Sequence, residues 1–363
     1  MNKQFRFPLW AFIIIQLVSF TPVAHCQNYT HYIGSSEGLK TLMDFIRVGE
    51  ECSLVLQNVH QEDLTGEIYI LKGKIGAGGR VTAKTKDERV EISFYLNNRQ
   101  ISGLGLETNG ISQRLPDLSE NWSEGSVPFK IILKKAEQAL FPVRESPVAR
   151  MDVSYPEPRW MPSQTVNDSL HAAIFRLFFE KQRSSTQNAA EYMDQLIASF
   201  KNSYISDNQS YYSKESSASL NWIKELDFYI LNNDRYLLSL CKRSYAYTGG
   251  AHGMEVKKFM NFNMKLGREL TLQDVFQENQ METLRSLIKN KLMESFAEES
   301  HNSLTDAGFF QDSVPLTENF YLTTFGVGFH YNPYEIAPYA FGSPEVFLKR
   351  DEINIILKEG RLP

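Results

Sequence analysis

Two segments of this chain concentrate residues that could do chemistry. The first is Tyr245-Ala246-Tyr247-Thr248-Gly249-Gly250-Ala251-His252-Gly253. Its glycines free the backbone for positive φ, and His252 carries a ring that changes charge near neutral pH. Exposed amides there could hold an anion, or His252 could act as a base; the plainer reading is a sharp strand-to-strand turn fixed by a histidine hydrogen bond. The second is Tyr334-Glu335-Ile336-Ala337-Pro338-Tyr339, one carboxylate among aromatics beside a proline of fixed φ. Burial would raise the pKa of Glu335 and suit it to general-acid work. Equally, Glu335 could cap amides of its own loop. Glycoside hydrolysis normally needs a second placed carboxylate. Asp274 could serve, although Thr271 three residues earlier makes it part of a turn.

No Gly-x-Ser-x-Gly, His-Glu-x-x-His or phosphate loop occurs, and His252, His301 and His330 lack the local spacing of a zinc site. The reading therefore assigns no catalytic residue, no metal ligand and no cofactor. The candidates for a ligand-binding surface are Tyr247, Gly249, Gly250, His252, Gly253, Tyr334, Glu335, Pro338 and Tyr339. His252 and Glu335 are expected to meet, through a structural hydrogen bond that joins two loops.

The elements that must position these residues follow from periodicity. Residues 28–145 read as an all-β meander, a small barrel or an open sheet: Glu67–Gly73, Arg80–Lys84, Val90–Leu96, Gly103–Leu106 and Val127–Leu133 are short apolar or β-branched runs parted by turn residues. Prolines 142, 147, 156, 158 and 162 mark a linker. Val166, Leu170, Ile174, Leu177 and Phe178 then take helical spacing, as do Met193, Leu196, Ile197 and Phe200. Residues 203–218 read as a polar loop. Strands return over 219–264, with a hairpin turn at Asn232-Asn233-Asp234. Leu284, Leu287, Ile288, Leu292 and Phe296 predict one more helix, and 319–331 and 344–349 the last strands. The expected class is α+β, with helices packed on an antiparallel sheet in the C-terminal half and a small all-β domain before it.

The first 26 residues read as an export signal. Lys3 and Arg6 precede an apolar run from Leu9 to Phe20, too short to span a bilayer, and Ala24 and Cys26 stand at −3 and −1 before Gln27. Acylation of Cys26, as in a lipoprotein, is the competing reading. No later segment is apolar enough to cross a membrane, so the mature chain is expected to be periplasmic or secreted. Its formal charge of −5 falls to −7 without Lys3 and Arg6, which disfavours nucleic acid as a partner. With 42% hydrophobic residues the chain can bury more than one core. Cys52 and Cys241 are expected to stay unpaired.

The order and spacing of the two motifs, with Asn261-Phe262-Asn263 and Gly267 to Phe276 after the first and Phe320-Tyr321-Leu322 before the second, resemble the RsiV-like domain of unknown biochemical function. That domain occurs in the extracellular part of a lysozyme-sensing anti-sigma factor and beside the catalytic domain of a peptidoglycan deacetylase. Met151 to Leu196, with Tyr155-Pro156 before the first helix, resembles the PdaC-like domain that usually precedes it. Beside the export signal at 1–26 and the all-β unit at 27–145, the resemblance implies a companion domain at 146–254 and an RsiV-like domain at 255–360, these two forming one structural unit. It implies an exported, non-catalytic envelope binding module for lysozyme or a peptidoglycan fragment. The alternative is a cell-wall glycan hydrolase or transferase using His252 and Glu335.

Overall fold

A computed structural model of the chain describes residues 29–60, 66–97, 99–141, 146–159, 163–183, 188–211, 220–296, 301–360 and 362. The expected export signal, Cys26 included, lies outside them, as do Pro142 and Pro162.

The fold is mixed α+β with sheet predominating. Nine strands open it: β1 (Tyr29–Ser36), β2 (Leu39–Val48), β3 (Glu51–His60), β4 (Gly66–Ile75), β5 (Arg80–Lys84), β6 (Val90–Asn97), β7 (Gln100–Thr108), β8 (Ile111–Arg114) and β9 (Leu118–Glu120). In β5 the alternation is plain, with Val81 and Ala83 buried between exposed Arg80, Thr82 and Lys84. Pairing runs β6-β5-β4-β3-β2-β1-β9-β7, and β6 also pairs with β7. The meander therefore closes into a barrel, with β8 as a flap on β7. Phe45, Leu54, Leu71, Ile92, Phe94 and Ile101 fill the interior, as a barrel of this girth allows. Cys52 belongs to this core, and burial pushes its thiol up to about 11.

The second sheet is β10 (Phe129–Ala139), β11 (Val148–Pro158), β12 (Trp222–Asp234), β13 (Leu237–Tyr247), β14 (Met254–Asn263) and β15 (Arg268–Glu269), in that spatial order. Helices α1 (Gln164–Phe179) and α2 (Ala189–Asn208) lie between β11 and β12 in the chain, and that crossover makes β11 and β12 a parallel pair. Leu170, Ile174, Phe175 and Phe178 of α1 share one core with Met151, Val153, Phe228 and Leu240 of the strands. A third sheet, β16 (Phe320–Thr323), β17 (Gly326–His330) and β18 (Glu345–Lys349), follows α3 (Leu272–Val275) and α4 (Met281–Phe296). Leu284, Ile288 and Leu292 of α4 join Phe320, Val327, Phe329 and Leu348 in a separate core.

Three expectations need correction. The proline-rich stretch is not a linker: it holds β11, and β10, read as part of the first unit, pairs with β11 along its whole length. Arg159 N–H donates to Pro128 O and Leu140 N–H to Pro147 O, which sets the ladder's alternation. By that alternation the missing N–H groups of Pro156 and Pro158 face away from β10, and β12 pairs with β11 only up to Val153. Neither proline removes a ladder bond. Second, the β12–β13 turn is at Arg235 and Tyr236, with φ of 46° and 67°. Asn232 and Asn233 are buried strand residues instead, because their carboxamides serve Leu237 O, Val127 and the Tyr29 hydroxyl. Third, α2 continues to Asn208 through part of the supposed loop. Tyr204 and Asn208 are buried one turn apart within that polar composition.

Candidate functional site

The first motif is the turn from β13 to β14. Gly249 and Gly250 take φ of 92° and 95°, which bulkier residues avoid. Gly253 is demanded by proximity, since a Cβ there would fall 2.2 Å from the Tyr245 hydroxyl. The Tyr247 hydroxyl donates to Gly250 O at 3.1 Å and closes the turn. His252 stays exposed, with Nδ1 at 3.1 Å from Gly253 O.

The second motif comes down upon it. Pro338, with φ of −59°, precedes a short 3-10 turn that carries Tyr339. The Tyr339 ring stacks on His252 at 3.8 Å between centroids and 17° between planes, and its hydroxyl donates to Gly253 O at 2.8 Å. Tyr334 lies 5.8 Å from Tyr339, centroid to centroid. It is 52% exposed and holds φ at 69°, a left-handed conformation that strains a bulky residue. Phe310, 53% exposed, donates its backbone N–H to Ile336 O and is an exposed aromatic that sequence reasoning missed. No local signal distinguishes it in the apolar run Phe309-Phe310.

The two motifs thus meet, but not through the expected pair. Glu335 binds within its own turn: Oε2 accepts from the Asn332 N–H at 2.9 Å and Oε1 from the Asn332 amide at 3.2 Å. No hydrogen bond or ion pair joins it to His252 among the described residues. A partner three positions away closes a far shorter loop than one in a different motif, and so costs less chain entropy. Tyr339 makes the inter-loop contact instead.

Beneath this shelf, asparagines join β14 to the third sheet where no ladder forms. The Asn332 carboxamide accepts from Lys257 N–H and donates to Lys257 O, at 2.8 and 3.1 Å. Asn319 accepts from Phe259 N–H and donates to Lys257 O, both at 3.0 Å. Asn261, 2% exposed, accepts from Leu322 N–H and from the Ser239 hydroxyl, and donates to Phe320 O. Each amide presents a donor and an acceptor, as a peptide group does.

Charges lie elsewhere. Arg268 grips Asp274 through two bonds of 2.7 and 2.6 Å, and Thr271 adds its N–H and hydroxyl. The guanidinium holds this carboxyl well below the usual range, the opposite of a general acid. Arg243, nearly buried, binds Glu225, Asp227 and Glu255, while Lys72 and Lys86 of the barrel pair with Asp227 and Glu255. A second joint is a buried chain: Tyr29 Oη and His31 Nδ1 lie 2.6 and 2.9 Å from Asp44 Oδ1, and Asn233 donates to Tyr29 Oη. Burial works against charge on His31, yet Asp44 overrides it and raises its pKa. Neither joint was visible beforehand, because its members are far apart in sequence. The described residues contain no group of three or more His, Cys, Asp or Glu arranged to hold a metal. Cys52 and Cys241 are both free and buried.

The fold and the paired loops define a two-part C-terminal assembly, and comparison with known families names its parts. Residues 143–255 match the family model described as Deacetylase PdaC, and residues 273–351 the one described as Protein of unknown function (DUF3298). The chain carries these two domains in that order, in agreement with the PdaC-like and RsiV-like resemblance. Among curated proteins it is similar to the peptidoglycan-N-acetylmuramic acid deacetylase PdaC of Bacillus subtilis, 25% identical over 146 residues. That match spans 37% of this chain and 29% of the deacetylase, less than a third of its length. The crystal structure of a DUF3298 family member from Bacteroides fragilis aligns with a TM-score of 0.55 at 27% identity, over 66% of this chain and 96% of that one.

Proposed function

We propose that this chain is an exported, non-catalytic binding module of the cell envelope, recognising an envelope-associated ligand such as lysozyme or a peptidoglycan fragment through the Tyr334–Tyr339 shelf, which His252 supports by stacking on Tyr339. The observation that carries the reading is Tyr334. Its ring is half exposed, its backbone is strained, and the turn holding it is locked by both oxygens of Glu335. Strain at an exposed aromatic has no use in packing, whereas a rigid aromatic presented to solvent loses little freedom on binding. The PdaC match and the curated relative's peptidoglycan chemistry support an envelope setting. No helix among the described residues is long and apolar enough to cross a membrane.

The hydrolase or transferase alternative needs His252 and Glu335 to act together, and Glu335 is committed to its own turn. The test is a pull-down of the chain from Gln27 onward against c-type lysozyme and against purified peptidoglycan fragments. Capture that Tyr334→Ala abolishes supports the reading. Capture by neither ligand, or a measurable turnover of muropeptides, overturns it.

A further inference from the structure

The second sheet ends in a long strand with an open outer side. β10 pairs only with β11, over eleven consecutive residues without a shift in register. Bonds from Arg159 N–H to Pro128 O and from Leu140 N–H to Pro147 O show that the even-numbered residues of β10 bond to β11. The odd-numbered residues therefore turn their N–H and C=O groups outward. Asn233 takes those of Val127, and Phe129 and Ile131 are buried. From Leu133 to Ala139 the side chains are half-buried or exposed. Among the described residues the outward groups of this stretch lack partners, apart from Ala139 O, which accepts from the Gln138 amide. It has neither a proline nor a bulge, two devices that blunt open edges.

We propose that this edge docks a second copy of the chain, β10 against β10, antiparallel about Ala136, joining the two second sheets into one. The charge pattern selects the register. An exchanged ladder must set odd residues against odd ones, so the two-fold axis passes through one residue of the strand. An axis at Lys134, Lys135 or Glu137 puts like charges face to face, and one at Leu133 requires the buried Ile131. An axis at Ala136 sets Lys135 opposite Glu137 twice, Lys134 opposite Gln138, and Leu133 opposite Ala139. Within one copy Lys135 approaches Glu51 at 3.5 Å and Glu137 accepts from Arg150 at 3.0 Å. All four side chains are more than half exposed, so these pairs are weak competitors.

Sedimentation equilibrium of the chain from Gln27 onward, over a wide concentration range, tests this. A reversible dimer is expected, weakened about tenfold by Lys135→Glu or Glu137→Lys and restored by the two together. Circular dichroism of each variant separates lost association from lost fold. A wild-type chain that stays monomeric, single variants that dimerise like wild type, or a double exchange that fails to restore association overturns the proposal.

Discussion

Asn261, which follows the first motif, and Tyr334, which opens the second, end in opposite situations. Asn261 is almost wholly buried, and its amide completes backbone bonds between β14 and the third sheet. Tyr334 is half exposed in a conformation it would not choose, held there by the turn beneath it. The inner region is a seam in which the asparagine amides are used within the fold. The outer region is a shelf whose rings are held in place but left uncovered. A recurring motif can therefore be conspicuous for two unrelated reasons, and only the seam is accounted for by the fold.

Breaking the seam should produce the largest effect. Asn261→Ala leaves Phe320 O, Leu322 N–H and the Ser239 hydroxyl without that partner, and should lower stability by about 2–4 kcal/mol in urea unfolding. A loss below about 1 kcal/mol would show that the seam holds nothing together.

The seam also predicts a pH dependence. Burial disfavours charge on Glu345, but hydrogen bonds from His330 and Tyr321 and the nearby Lys257 override it and keep its carboxyl below the usual range. A carboxylate depressed in the folded state contributes stability that is present above its unfolded value, about 4.3, and is lost as pH falls through the folded one. Wild type should therefore lose more stability than Glu345→Gln as the pH drops below about 4. Equal acid limbs in the two proteins would remove Glu345 from the account.

On the shelf, Tyr334→Gly should leave stability unchanged or raise it by up to about 1 kcal/mol, because glycine accepts a φ of 69° without strain. Capture of lysozyme or peptidoglycan fragments should be lost in the same variant. Destabilisation by more than about 1 kcal/mol would make Tyr334 a packing residue and erase the contrast with Asn261.

His252→Ala should do least. It removes one exposed stack and one hydrogen bond, costs about 0.5 kcal/mol, and weakens capture only indirectly by loosening Tyr339. Loss of capture with an unchanged melting temperature would place His252 in the ligand contact itself.

Much of this protein could be read without coordinates. Period-two and period-3.6 patterns located β4 to β6, both crossover helices and α4, since hydrophobic spacing within a segment reports which of its faces is buried. The order and spacing of the two motifs marked the DUF3298 region, the stretch from Met151 to Leu196 marked the PdaC region, and Thr271 placed Asp274 in a turn. What lay beyond reach depended on partners remote in sequence. Nothing local says that the prolines of β11 face an unpaired side, because that depends on where β12 stops pairing. A carboxylate in a loop can cap its own turn, as Glu335 does on Asn332, but nothing local says that Tyr339 is the residue that meets His252. Chain pattern determined which residues are buried and which elements they build. The pairing of those elements decided which polar groups were used up inside the fold, and so which ones remained at the surface.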